Sequence, residues 1–102
     1  LTRDPEREVE RLATAMEILR QYRDLELGRI QPAQEVHLEP SGDVTLVIGK
    51  QGLALHLGKG PWKKKLLMAA RVVGRLQRDG RSAGIVFLDN DAHPERVVAR
   101  VR

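Results

Sequence analysis

Residues 42–76, GDVTLVIGKQGLALHLGKGPWKKKLLMAARVVGRL, read as strand, tight turn, strand, tight turn, helix. Val44, Leu46 and Ile48 alternate with Asp43, Thr45 and Val47, and Leu53, Leu55 and Leu57 alternate with Ala54 and His56. Two period-two runs therefore flank Gly49-Lys50-Gln51-Gly52, which is the pattern of a hairpin. After Gly58-Lys59-Gly60-Pro61, the residues Trp62, Leu66, Ala69, Val73 and Leu76 recur at spacings of four and three, which predicts a helix with one apolar face. The remainder of the chain is expected to pack around this unit.

A length of 102 residues fits one domain with one modest core. Only 3% of the residues are aromatic, so the core is expected to be aliphatic, with Tyr22, Trp62 and Phe87 as its large anchors. The absence of cysteine excludes a disulfide framework and thiolate metal sites. Charge is unevenly placed: residues 1–39 hold six arginines against nine acids, a net −3, whereas residues 42–102 hold twelve basic residues against five acids, a net +7. Such a bias suits nucleic acid, anionic lipid or an acidic protein, and does not choose among them. No window has the length of a transmembrane helix and no signal-peptide pattern is present. A start at Leu1 rather than Met reads as a piece excised from a longer protein.

Asp4-Pro5 opens the first helix, with Asp as N-cap and Glu6 and Glu8 in the first turn, where the helix dipole favours acids. Val9, Leu12, Ala13, Met16 and Leu19 mark its expected buried stripe, and Gly28 its terminator beyond Tyr22 or Arg23. Residues 30–39 are expected to be extended, with Gln34, Val36 and Leu38 on one side and an irregular or edge start at Pro32. The second long helix should stop at Asp79-Gly80, and two final strands, 83–89 and 96–102, are joined by a polar connection containing Pro94. In the last strand Val97, Ala99 and Val101 face one way, and Arg96, Val98, Arg100 and Arg102 the other. The fold class expected is α+β: two layers in the order α-β-β-β-α-β-β, a mainly antiparallel sheet with helices on one face.

Candidate chemistry is sparse. Ile48-Gly49-Lys50-Gln51-Gly52 matches the I-G-x-x-G loop with which KH domains clamp a nucleic acid backbone, so a small KH-like RNA-binding domain is the alternative reading. That loop joins two helices in KH domains, whereas its flanks here alternate like strands. The run from Gly58 to Lys65 puts glycines and lysines at a helix start, yet lacks P-loop spacing and reads as a solvated lysine face. His37, His56 and His93 lie on different elements without paired metal-ligand spacing, and no Ser-His-Asp, Cys-His or paired-carboxylate constellation occurs. Asp89 and Asp91 read as turn residues. A non-enzyme without cofactor or metal is expected. The terminal strand, if it lies at a sheet edge, offers backbone groups for β-strand addition by another protein.

The run Leu55-His56-Leu57-Gly58-Lys59 leading to Trp62 and Leu66, with the closing segments 85–89 and Pro94-Glu95-Arg96-Val97-Val98, resembles the extracytoplasmic β domain of the FtsQ/DivIB family of bacterial cell-division proteins. The resemblance spans nearly the whole chain. It implies a single β domain over residues 1–102, cut from a single-pass inner-membrane protein whose transmembrane segment and POTRA domain lie outside this chain. It further implies a divisome scaffold at the septum, with this domain in the periplasm, binding FtsB/DivIC-like and FtsL-like partners and no nucleic acid. The family's partner edge maps onto Asp89, Asn90, Arg96, Val97, Val98, Ala99, Arg100 and Val101. Where the family often carries Arg near the end of the penultimate strand, this chain reads Phe87-Leu88-Asp89-Asn90, so Arg96 and Arg100 are expected to supply the positive charge.

Overall fold

The computed structural model describes residues 5–93 and 96–102. Its elements are α1 (Pro5–Arg23), α2 (Glu26–Ile30), β1 (Ala33–Leu38), β2 (Val44–Ile48), β3 (Leu53–Gly58), α3 (Trp62–Arg78), β4 (Ala83–Phe87) and β5 (Val98–Val101). The five strands form one sheet in the order β1-β2-β3-β4-β5. All neighbours are antiparallel except β3 and β4, which run parallel and are joined through α3. A parallel pair needs such a crossover, because a tight turn can only return the chain antiparallel. The expected α+β architecture is thus present, with one parallel pair and one short helix added.

The hairpin forms as its period predicts. Leu46 faces Leu55 and Ile48 faces Leu53, and all four side chains are buried. Gly49 and Gly52 both take φ of +70, the left-handed conformation that side chains rarely adopt, so the glycines of the Gly49–Gly52 loop serve the turn between β2 and β3. On α3, Leu66, Ala69 and Val73 are buried and Trp62 and Leu76 pack half-buried against the core. The helix ends where expected: the Gly80 N–H donates to Gln77 O and the Arg81 N–H to Leu76 O, the paired bonds that close a helix around a C′ glycine.

The first helix departs from expectation. Val9, Leu12 and Met16 are 67%, 62% and 61% exposed, and Ala13 and Leu19 also lie on the surface. The buried residues of α1 are instead Ile18 and Tyr22, one turn apart on a different side, about a third of the way round the helix. The helix carries two apolar faces, and the shorter one meets the sheet. Gly28 does not terminate α1 either. It lies buried inside α2, where an added Cβ would stand 2.0 Å from Tyr22 O. The Asp4 cap, like Pro94 and Glu95 in the last connection, lies outside the described residues.

Two smaller corrections concern strands and anchors. Ile30 belongs to α2, and a register shift between Ala33 and Glu35 puts Ala33, not Gln34, on the core side with Val36 and Leu38. Of the three expected aromatic anchors only Tyr22 is fully buried, while Phe87 lies on the sheet face away from the helices. The Tyr22 hydroxyl donates to Gln31 O and tethers α2 to α1.

Burial pushes the Tyr22 phenol well above its ordinary value. A phenol with a raised folded-state pKa contributes stability in full below its unfolded value, about 10, and loses that contribution as pH climbs toward the folded value. The chain should therefore unfold in alkali as its one tyrosine ionises. Phenolate absorbance and loss of far-UV helix signal should rise together; phenolate appearing first, with the helices intact, would show an accessible ring.

Candidate partner-binding edge

β5 is an outer strand, paired through Val98 with Phe87, Ala99 with Val86 and Arg100 with Ile85. It is shorter than the expected 96–102, because Arg96 and Val97 precede the ladder. Val97 and Ala99 pack against the core, whereas Val101, expected beside them, is exposed. Val98 is 58% exposed. The Arg102 N–H donates to Ser82 O at 2.9 Å and so points toward β4. Backbone groups alternate along a strand, so the N–H groups of Arg100 and Val98 also point inward, and those of Ala99 and Val101 point outward. The outward pair is what an added strand would meet.

The open face of the sheet supplies side chains beside that edge. The Arg100 guanidinium stands 5.4 Å over the Phe87 ring, Phe87 stacks on His56 at 5.0 Å, and His56 Nδ1 lies 3.2 Å from Thr45 Oγ1. Cross-strand contact of this kind runs from β2 to β5 and fixes Arg100 over an aromatic surface.

At one end of the edge, Asp89 and Asn90 leave β4 and are exposed. The Asp91 N–H donates to Asp89 O and the His93 N–H to Asn90 O, so local turns begin the connection beyond β4, and the Arg96 N–H donates to His93 O. Gly58, at φ +70, abuts this segment: a Cβ there would stand 2.8 Å from the Asp89 Cβ. At the other end, the Arg102 guanidinium donates to Gln51 O in the β2–β3 turn. Val98 through Val101 form the outer strand, Arg96 and Val97 lead into it, and Asp89 and Asn90 lie at the end of β4 beside Gly58 of β3.

Lys65 was expected on a solvated lysine face, and the structure overturns this. Lys63 and Lys64 are exposed, but Lys65 is only 7% exposed. Its ammonium donates to Leu57 O at 2.7 Å, to Lys59 O, and to Asp91 Oδ1 at 2.7 Å, which uses all three N–H bonds. Asp91 is thus more than a turn residue: it is the carboxylate through which the β4–β5 connection is tied to α3. A signal for this existed in the sequence, since position 65 lies three residues after Trp62 and four before Ala69, on the buried arc.

Other candidates do not converge. His37 pairs with Glu35 at 2.8 Å on β1, His56 stacks on the open sheet face, and His93 lies in the connection. Among the described residues no group of three or more His, Asp or Glu could hold a metal. A cleft of about 380 Å³ between the β2–β3 turn and the end of α3 is lined by Ile30, Leu53, Val73 and Leu76, with Lys50 and Arg81 also on its wall. Among the described residues no helix is long and apolar enough to cross a membrane.

No family model matches the chain. It is 30% identical over 90 residues to the cell division protein FtsQ of Anaeromyxobacter sp. (strain K), covering 88% of this chain and 30% of that protein. It is 32% identical over 98 residues to the cell division protein FtsQ of Myxococcus fulvus (strain ATCC BAA-855 / HW-1), covering 96% of this chain and 34% of that protein. The chain spans about a third of the length of the curated relatives it matches. Across most of its own length it is therefore similar to FtsQ.

Proposed function

We infer that this chain is the partner-binding β domain of an FtsQ-type division scaffold, a non-enzymatic module that takes up a strand from an FtsB/DivIC-like or FtsL-like protein along β5. The observation that carries this reading is an outer strand whose Ala99 and Val101 backbone groups point away from the sheet. Similarity to FtsQ supports the class of partner. In this reading the longer protein is anchored in the inner membrane by a segment outside this chain, and the domain works on the periplasmic side at the septum.

Replacing Ala99 with proline removes an outward N–H and sets a ring against the incoming strand, while an edge position tolerates proline in folding. Affinity for the FtsB- and FtsL-type ectodomains should fall about tenfold or more, the loss of one backbone bond and of strand register. The thermal midpoint should move little. Val98→Pro, which removes an inward N–H, should instead weaken the β4–β5 pairing and the fold. Titration calorimetry on both variants checks this; undiminished binding by Ala99→Pro would place the partner elsewhere.

A further inference from the structure

We propose that the cleft between the β2–β3 turn and the end of α3 is a second docking site, whose occupant is a short extended segment of another protein carrying apolar side chains between two carboxylates. The volume of about 380 Å³ lies near the lower end for ligand clefts and gives room for a few residues. Its walls are already joined. The Gly49 N–H donates to Pro32 O at 2.9 Å, which ties the turn to the start of β1, and the Arg81 N–H donates to Leu76 O at 2.7 Å, which closes the end of α3. The floor is apolar: Leu53 and Val73 are buried, Leu76 is half-buried, and Ile30 stands 65% exposed.

Charge and hydrogen-bonding capacity select the occupant. Lys50 and Arg81 line the cleft, no acidic residue does, and among the described residues neither cation enters an ion pair. Asp79, two residues before Arg81, lies outside the lining. The carbonyls at the end of α3 add little negative field, because Arg75 O, Leu76 O and Gln77 O already accept the N–H groups of Asp79, Arg81 and Gly80. Two cations from separate elements suit two carboxylates, one on each flank of an apolar body. The side chains of Gln31, Gln51 and Gln77 and the Ser82 hydroxyl also line the cleft. Their donors and acceptors can meet the N–H and C=O groups of a peptide, whereas an acyl chain would leave them against hydrocarbon. The Arg102 N–H reaches Ser82 O and its guanidinium Gln51 O, so the cleft adjoins the end of β5 without sharing the outward groups of Ala99 and Val101.

Titration of the chain with the blocked tetrapeptide acetyl-Asp-Leu-Phe-Asp-amide, followed by NMR, should give saturable shifts at the Gln31, Gln51 and Gln77 side-chain amides and the Leu53 and Val73 methyl groups. Added salt should weaken binding, since the cations are exposed. The Asn-Leu-Phe-Asn counterpart and octanoate should each bind at least about fivefold more weakly. Lys50→Glu with Arg81→Glu should weaken the acidic peptide more than about tenfold, as two attractions become repulsions. Both positions are exposed, so the circular dichroism should not change. Ile30→Asp, at another exposed position, should weaken binding about fivefold by removing apolar surface and adding a repelling charge. Ala99→Pro should leave peptide binding unaltered, which separates this site from the β5 edge. No saturable shift, equal binding of the Asn peptide, tighter binding of octanoate, or undiminished binding by the charge-reversed variant would overturn the proposal. A loss on Ala99→Pro without one on Lys50→Glu/Arg81→Glu would also overturn it, and would assign the peptide to β5.

Discussion

Gly28→Ala should destabilise the fold by about 2 kcal/mol or more, although alanine is the better helix former. Helix propensity favours the substitution by about 1 kcal/mol. Against this stands geometry: the added Cβ would lie 2.0 Å from Tyr22 O and 2.8 Å from Tyr22 C, both backbone atoms at the end of α1. Backbone cannot swing aside as a lysine tip can. To admit the methyl group α2 must move off α1, and the Tyr22 carbonyl, which accepts the Leu25 N–H at 3.1 Å, and the Tyr22 hydroxyl, which holds Gln31 O, move with it. The overlap therefore decides the sign. Urea unfolding monitored by circular dichroism checks it, and a midpoint raised by the substitution would mean that the two helices pack more loosely than the structure describes.

That corner also marks the limit of what sequence pattern conveys. The hairpin and α3 were readable because each has one apolar side at one period: Leu46, Ile48, Leu53 and Leu55 can only face one layer, and Leu66, Ala69 and Val73 only meet it. In α1 the pattern was ambiguous in a physical sense. Val9, Leu12, Met16 and Leu19 form the longer stripe, Ile18 and Tyr22 the shorter, and periodicity does not say which stripe meets this protein's own sheet. The parallel β3–β4 pairing was unreadable for a related reason, since a strand–helix–strand run fixes that the chain returns but not which neighbour it joins. Lys65 was hidden by its company, as two exposed lysines precede it.

The candidate edge was readable as a segment and not as a geometry. Residues 98–101 do form an outer strand, but which backbone groups point outward follows from one bond, Arg102 N–H to Ser82 O. Sequence placed Val101 with Val97 and Ala99, and the register shift between Ala83 and Ile85 leaves it exposed instead. What holds the edge in position, Lys65 at one end and Arg102 at the other, depends on contacts between residues far apart in the chain.

Lys65→Met should lower stability by about 2 kcal/mol, and Lys65→Ala by about 3 to 4 kcal/mol. Methionine keeps most of the buried methylene stem, so its cost isolates the ammonium. Two effects oppose one another there. Removing a buried charge recovers its desolvation cost, which in some proteins makes a buried ion pair dispensable. Here, however, the ammonium serves the carbonyls of Leu57 and Lys59 as well as Asp91, and the Leu57 carbonyl stays buried when the donor is gone. The Asp91 side chain is largely in water, so that arm contributes least and Asp91→Asn should cost under about 1 kcal/mol. The double variant Lys65→Met/Asp91→Asn should then resemble Lys65→Met alone, since the lysine carries both terms. Wild-type stability in Lys65→Met would mean that desolvating the ammonium costs as much as its three bonds return. Either variant that frees Asp91 should also speed amide exchange in β5 more than in β2 or β3, because the connection into β5 loses its tie to α3 while the central hairpin keeps its core. If β5 takes up a partner strand as proposed, affinity should fall with that loss of order, although Lys65 itself is buried on the inner side of α3.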